Sequence, residues 1–269
     1  CNPVFVSYLL VTLTGARLYV DKEKLTVEVE DYLREQSVEV RPYASVAEDL
    51  ISHKIKSDGL LLTPEVNERI VEAAGQSLTI VERNSPVSLM KAVKNPTEIA
   101  GFKAAMLRDG IAMVKFLRWL KHAVRAGGQT EMSIDRKLTS LRAEQPLFRD
   151  ISFDTIAGYG PHGAIVHYEA TPETDAPLRP EGILLIDSGA QYADGTTDIT
   201  RTIALGPVND EARHYNTLVL KGHIALSRCR FLAGSSGTQL DICTRYAMWQ
   251  EGVNYGHGTG HGVGSYLNV

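Results

Sequence analysis

Cysteine is scarce in this chain: Cys1, Cys229 and Cys243 are the only three among 269 residues, and they follow no spacing pattern. Few, scattered thiols exclude a disulfide-stapled scaffold and fit a reducing, cytoplasmic compartment. Long apolar runs are missing too. None approaches the ~20 residues that a membrane span needs, so no membrane role is expected. Positive charge is not in excess either: 28 basic residues face 32 acidic ones, for a formal charge of −4. A nucleic-acid partner therefore has no electrostatic basis. No internal repeat is visible. The chain begins at Cys1 and not at a methionine, which leaves a natural N-terminus or a targeting segment upstream open. What remains is a globular composition, 43% hydrophobic and 22% charged, long enough for one large core or two medium ones.

Residues 1–90 predict a small α/β unit. Strand composition over 5–12 and 17–21 is joined through Thr14-Gly15, a hairpin signal. Helices are expected over 27–35, 46–54 and 66–74, with strands over 38–41 and 59–62; this alternation suggests a mixed sheet covered by helices. No chemistry shows in it. His53 is its single histidine, and a lone histidine on a helix is ordinarily a surface or packing residue. Glu28, Glu30 and Asp31 are most simply a solvated helix face.

The boundary to a second domain, 91–269, falls near Lys91 to Pro96. Asn95-Pro96-Thr97-Glu98 has the form of a helix start, with Asn95 as the cap and Pro96 at the first helical position. Ile99, Phe102, Met106, Met113, Leu117, Leu120 and Val124 follow at helical spacing and predict a long amphipathic helix ended by Gly127-Gly128, its methionines in the core. A second helix is expected from near Thr130, burying Ile134, Leu138 and Leu141. Strands are expected over 151–157, 164–167, 182–192 and 196–205, then helices over 209–231 and 238–251, the last stopped by Gly252. Helices backing β structure in this order predict an α+β domain.

Two stretches of that domain carry candidate chemistry. The first is Leu184-Leu185-Ile186-Asp187, a turn signal at Asp194-Gly195, then Asp198-Ile199-Thr200-Arg201-Thr202. It has the form of a hairpin. A turn near Tyr192-Ala193-Asp194 makes Asp187 and Asp198 approximate cross-strand partners, with Cβ atoms roughly 5 Å apart. Like charges so placed destabilise a sheet unless a cation lies between them, and hard divalent metals take carboxylate oxygens. Thr200 and Thr202 fall on the face of Asp198, where their hydroxyls would steady the carboxylate. On this hairpin alone, a metal site and a purely structural hairpin both remain open.

The second stretch is His257-Gly258-Thr259-Gly260-His261, inside a run of glycines at 256, 258, 260, 262 and 264. Period two predicts a strand with one bare face and both imidazoles on the other. An extended strand rises about 3.3 Å per residue, so the two histidines stand roughly 13 Å apart and do not ligate one ion. One is a candidate ligand and the other a candidate substrate contact. His167 lies in a strand-like pattern, Ala164-Ile165-Val166-His167. By itself it is an ordinary sheet histidine.

Taken together, the paired-aspartate block and the glycine-spaced histidines closely resemble the Xaa-Pro aminopeptidases of aminopeptidase P type, in the pita-bread metallopeptidase family. The resemblance runs through most of 91–269 and appears weakly at Asn2-Pro3-Val4-Phe5-Val6-Ser7-Tyr8. It implies two divalent metal ions, usually manganese, with Asp187, Asp198 and His261 as ligands and Asp198 bridging. His257 matches a substrate-contacting histidine, and His167 one that assists substrate binding and proton handling. The reaction implied is hydrolysis after the N-terminal residue of peptides with proline in second position. Metals would meet the difficulty of a tertiary amide by activating water and polarising the carbonyl.

The resemblance further implies that 1–90 is a creatinase N-terminal-like middle domain of a three-domain subunit. The α+β pita-bread catalytic domain is then incomplete at its C-terminal end, because the family's two further metal-binding glutamates and another histidine fall beyond Val269. This fragment alone is expected to be inactive, and the complete enzyme to form a homodimer. A prolidase or another pita-bread aminopeptidase shares the ligands and differs in the pocket. A catalytically dead module that binds peptides or proteins is a third reading, disfavoured by the presence of all three ligands.

Overall fold

A computed structural model describes residues 3–52 and 57–269. Cys1, Asn2, His53 and the end of the helix expected over 46–54 lie outside the described residues. The chain divides into two compact units, Val4–Val93 and Lys94–Val269.

In the first unit, β1 (Tyr8–Thr12) turns into β2 (Gly15–Val20), with Thr12 opposite Gly15. Helix α1 (Val27–Glu35) starts where the Thr26 hydroxyl accepts the Val29 N–H, and β3 (Val38–Pro42) returns parallel to β2. Then come α2 (Val46–Ile51), β4 (Gly59–Leu62), α3 (Glu68–Gly75) capped by Asn67, β5 (Thr79–Glu82) and α4 (Pro86–Ala92). The single mixed sheet expected is instead two sheets, β1-β2-β3 and a separate parallel pair β4-β5. Strand β5 and helix α4 went unread because four to seven residues show too little periodicity. Leu50, Ile70, Ala73, Ala74 and Leu78 form the core with Leu60 and Leu62 against it.

The second unit opens on α5 (Pro96–Ala126). Asn95 Oδ1 accepts the Glu98 N–H at 2.9 Å and Glu98 returns a bond to the Asn95 N–H at 2.8 Å, a reciprocal cap that fixes the helix start. Gly127, at φ +85°, ends it. Helix α6 (Glu131–Ala143) follows, capped by Thr130, with Ile134, Leu138 and Leu141 buried as expected. The buried stripe of α5 differs from the one the large residues suggest. Gly101, Ala105, Asp109, Ala112, Met113, Phe116, Leu120 and Val124 point inward, while Ile99 and Met106 stay exposed. Small side chains face inward because strands pack closely there.

Those strands are β6 (Phe148–Ile151), β7 (Ile156–Tyr159), β8 (Ile183–Ser188), β9 (Ala190–Tyr192), β10 (Gly195–Thr196) and β11 (Ile199–Ala204). They form two antiparallel sheets, ordered β10-β9-β6 and β11-β8-β7. Each of the strands expected over 151–157, 182–192 and 196–205 is broken where the chain passes between sheets. Gly189 makes one such crossing: a Cβ there would stand 1.9 Å from the Thr197 carbonyl oxygen. Leu184, Ile186 and Ile199 on one face join Phe116, Leu120, Ile134 and Leu138 in the core. Helices α7 (Asp210–Arg228) and α8 (Gly237–Trp249) complete the unit.

Two expected strands are absent. Residues 160–164 form a 3-10 turn, and His167 follows it with φ +56°, a left-handed backbone that no strand contains. Residues 250–269 are irregular throughout. A glycine at every second position gives a strand no side chains to pack on one face, and here no partner strand compensates.

Candidate metal centre

The hairpin loop is Ala193-Asp194, with Gly195 opposite Tyr192. That turn centre lies one residue beyond the expected one, which shifts the register by two. Thr200, not Asp198, stands opposite Asp187. Asp187 and Asp198 are diagonal neighbours, and a shift of two returns side chains to the same face. The hairpin thus still delivers both carboxyls to the surface facing away from the α5–α6 core.

There the two groups interact. Burial first, and then the charge of Asp187, push the Asp198 carboxyl above its ordinary range, while His261 pulls the other way. His261 Nε2 stands 3.4 Å from Asp198 Oδ2. Its Nδ1 is 2.9 Å from the Gly262 carbonyl oxygen. A carbonyl only accepts, so Nδ1 donates to Gly262 and Nε2 is the ring nitrogen turned toward Asp198.

Asp187 Oδ1 is buried and has no hydrogen-bond partner among the described residues. A buried carboxylate oxygen left unpaired is costly, and a hard cation is the partner that satisfies it. The donor set therefore fits a divalent ion in kind. It is not a closed shell: among the described residues, no group of three or more His, Cys, Asp or Glu is gathered tightly enough to hold an ion. The hydroxyls of Thr200 and Thr202, expected to steady Asp198, remain exposed.

What holds the hairpin lies behind it and was not read from the sequence. Asp109 and Arg142 are both fully buried. Arg142 donates through Nε to Asp109 Oδ1 at 2.6 Å and through Nη2 to Oδ2 at 3.1 Å, and also reaches the Ser188 carbonyl at 3.2 Å. Tyr192 and Thr197 donate their hydroxyls to the same carboxylate at 3.2 and 3.0 Å. One acid on α5 thereby ties together α6, β9 and the residue before Asp198. The Tyr192 phenol is raised above its ordinary value, by burial first and then by the Asp109 charge. The sequence signal was a lone acid among Ala105, Ala112 and Met113 on the inward face of α5.

A second buried acid, Glu131, anchors the loop that carries His167. It accepts from the Tyr159 N–H at 2.7 Å, the Ala176 N–H at 3.1 Å and the Tyr168 hydroxyl at 2.8 Å, and meets His162 Nδ1 at 2.9 Å. His167 itself is exposed.

The histidine segment is held by α8. Arg245 donates to the carbonyls of Tyr255 and His257 at 2.7 and 2.8 Å and lies over the Tyr255 ring. Asp241 accepts from Arg245 and from the Thr259 hydroxyl. Thr244 bonds the Tyr255 hydroxyl at 2.8 Å. The His257 ring stacks on Tyr255, with centroids 4.7 Å apart. The structure thus places Asp187 and Asp198 as diagonal neighbours and His261 beside Asp198, short of a three-ligand cluster among the described residues, and leaves His257 on the Tyr255 side and His167 on its own loop.

Residues 100–269 match the profile of metallopeptidase family M24, and residues 1–98 that of the creatinase/prolidase N-terminal domain. The chain belongs to metallopeptidase family M24. A relative from Aspergillus clavatus, "Probable Xaa-Pro aminopeptidase P", is 42% identical over 278 residues, covering 100% of this chain and 42% of that protein. One of the same name from Botryotinia fuckeliana is 40% identical with the same coverage. The chain spans less than half the length of these curated relatives. Among solved structures, the X-prolyl aminopeptidase of Caenorhabditis elegans, described as a cytosolic enzyme with a di-nuclear active site, superposes with a TM-score of 0.93 at 38% identity. It is covered to 45%, and this chain to 100%. The prolidase of Pyrococcus furiosus, at 22% identity and a TM-score of 0.76, shares the fold. The M24 unit is thus a pita-bread fold, preceded in the sequence by a creatinase-like N-terminal unit.

Proposed function

We propose that the complete protein is an Xaa-Pro aminopeptidase, hydrolysing the bond between an N-terminal residue and a following proline. One observation carries this reading: in an M24 chain, Asp187 and Asp198 lie on one sheet face as diagonal neighbours, with an unpaired buried oxygen on Asp187 and the Nε2 of His261 3.4 Å from Asp198 Oδ2. The name of the relatives that match this whole chain supports the specificity.

Two divalent ions, manganese in our assignment, would be held by Asp187, Asp198 and His261 together with ligands from the part of the protein beyond this chain. When bound, such ions supply a Lewis acid for the scissile carbonyl and a water of lowered pKa. The chain's own groups do the rest. Asp187 presents its unpaired oxygen from a rigid ladder. His261 is held by its Nδ1 contact to the Gly262 carbonyl, which turns Nε2 toward Asp198. His257, steadied on Tyr255, contacts the peptide, and His167, on the loop anchored by Glu131, assists substrate binding and moves a proton. Proline leaves no N–H at the scissile nitrogen, so the site recognises the ring by shape. We divide the protein at residue 90, with 1–90 a creatinase N-terminal-like unit that carries none of the site's residues. We assign the protein to the cytoplasm, as a homodimer.

The test is hydrolysis by the complete protein of an Xaa-Pro-Yaa tripeptide, an Xaa-Pro dipeptide and an Xaa-Ala-Yaa control, with and without divalent metal. Metal-dependent release of the first residue from the tripeptide, and none from the control, is expected. Cleavage of the dipeptide alone would make the protein a prolidase, and metal binding without any hydrolysis would make it a peptide-binding module. Residues 1–269 alone are expected to be inactive.

A further inference from the structure

Cys229 and Cys243 looked unrelated in the sequence, yet the α7–α8 pair brings their sulfurs to 3.7 Å. Both are free thiols and half-buried. The approach is built into the packing. Gly222 of α7 lies so close to α8 that a Cβ there would stand 2.0 Å from the Thr244 carbonyl oxygen, so the helices are in tight contact right beside Cys243. Cys229 caps α7 with an extended backbone, and the next residues leave the helix, Leu232 being 84% exposed. A disulfide needs the sulfurs to close to about 2.05 Å, a movement that side-chain rotation supplies at Cys229, which has already left the helical backbone.

Cys243 also has significant neighbours. Asp241, Thr244 and Arg245 on the same helix hold the 254–259 segment through the bonds described above. A covalent tie at Cys243 therefore acts on the helix that fixes the histidine segment.

We propose that Cys229 and Cys243 form a redox modification site, a dithiol that a low-molecular-weight disulfide such as oxidised glutathione closes into an intramolecular disulfide, tying the end of α7 to the clamp helix α8. In the first step one cysteine thiolate attacks a sulfur of oxidised glutathione, forming a mixed disulfide and releasing one glutathione thiolate. In the second the other cysteine, as thiolate, attacks the protein sulfur of that mixed disulfide and releases the second glutathione. Two protein thiols are oxidised, one glutathione disulfide is reduced to two thiols, and the two protons pass to the departing glutathiones. The bond encloses a short loop, removes freedom from the unfolded chain and holds α8 in register.

The experiment treats the native complete protein with excess oxidised glutathione, then maps disulfides by peptide mass spectrometry and amide exchange over 254–259. The expected result is a product lighter by two hydrogens, with the Cys229 and Cys243 peptides joined, two reduced glutathiones released per chain, and slower exchange over 254–259. Cys229→Ser and Cys243→Ser, checked for native circular dichroism, should each stop at a single glutathionyl adduct on the remaining thiol. Two separate adducts on the native chain, Cys243 joined to Cys1, or no reaction at either thiol while the denatured chain reacts would each overturn the site. Closure of the disulfide with unchanged exchange over 254–259 would overturn its link to the histidine segment.

Discussion

Replacing Asp109 with alanine tests whether the buried pair behind the hairpin holds the site. Asp109 accepts four hydrogen bonds, two from Arg142 and one each from Tyr192 and Thr197. Both members of the ion pair are 0% exposed. Truncation leaves the Arg142 guanidinium buried with the Ser188 carbonyl as its remaining described partner, and strands two hydroxyls. Breaking one side of a buried pair destabilises by about 3–5 kcal/mol, a large share of the ~5–15 kcal/mol that a native protein holds in total. For a unit of this size each kcal/mol moves the midpoint by about 2–4 °C, so a fall of roughly 10 °C is expected. Urea and thermal unfolding of the complete protein, followed by circular dichroism, measure it. Asp109→Leu combined with Arg142→Met removes both charges and should recover most of the loss, because the penalty belongs to the orphaned cation. A loss below about 1 kcal/mol in the single variant, or a double variant no better than the single, would refute this account of the pair.

Two glycines of α5 should respond oppositely to alanine. At Gly101 the new Cβ would stand 2.0 Å from the Asp194 carbonyl oxygen, so overpacking against the hairpin turn should cost about 1–3 kcal/mol by urea titration. At Gly110 nothing lies within 4 Å, and the same change should add about 0.5–1 kcal/mol through helix propensity. The clamp on the histidine segment should fail in acid. Hydrogen bonds, first from Thr259 and then from Arg245, hold Asp241 below its ordinary value of 3.8. A depressed folded-state pKa gives stability that is complete above the ordinary pKa and lost as pH falls through the folded value. Amide protection over 254–259 should therefore hold from neutral pH down to about 4 and decline below it. Asp241→Asn should abolish that step.

The elements of the second unit were legible where periodicity is long. The caps at Asn95 and Thr130 and the inward Ile134, Leu138 and Leu141 announce themselves, because capping chemistry and a 3.6-residue repeat are local properties. The convergence of Asp187 and Asp198 was legible too, although their register was not: placing the loop one residue early shifts every pair by two and leaves faces unchanged. The strand read into 256–264 failed because alternation with glycine mimics the strand period without supplying a surface to pack. Asp109, Arg142 and Glu131 escaped because a charged residue on a helix is ordinarily solvated, and only tertiary structure brings its partners. The Cys229–Cys243 pair escaped for the same reason, fourteen residues of chain folding back through two helices.

The central claim is that Asp187 and Asp198 tolerate each other because cations belong between them. It is tested most directly by metal content and Xaa-Pro-Yaa hydrolysis in the complete protein, compared with Asp198→Asn at matched circular dichroism. The expected result is two divalent ions per chain in the parent, and in the variant a native spectrum with depleted metal and no metal-dependent hydrolysis. Parent-level metal content and activity in Asp198→Asn would contradict the claim.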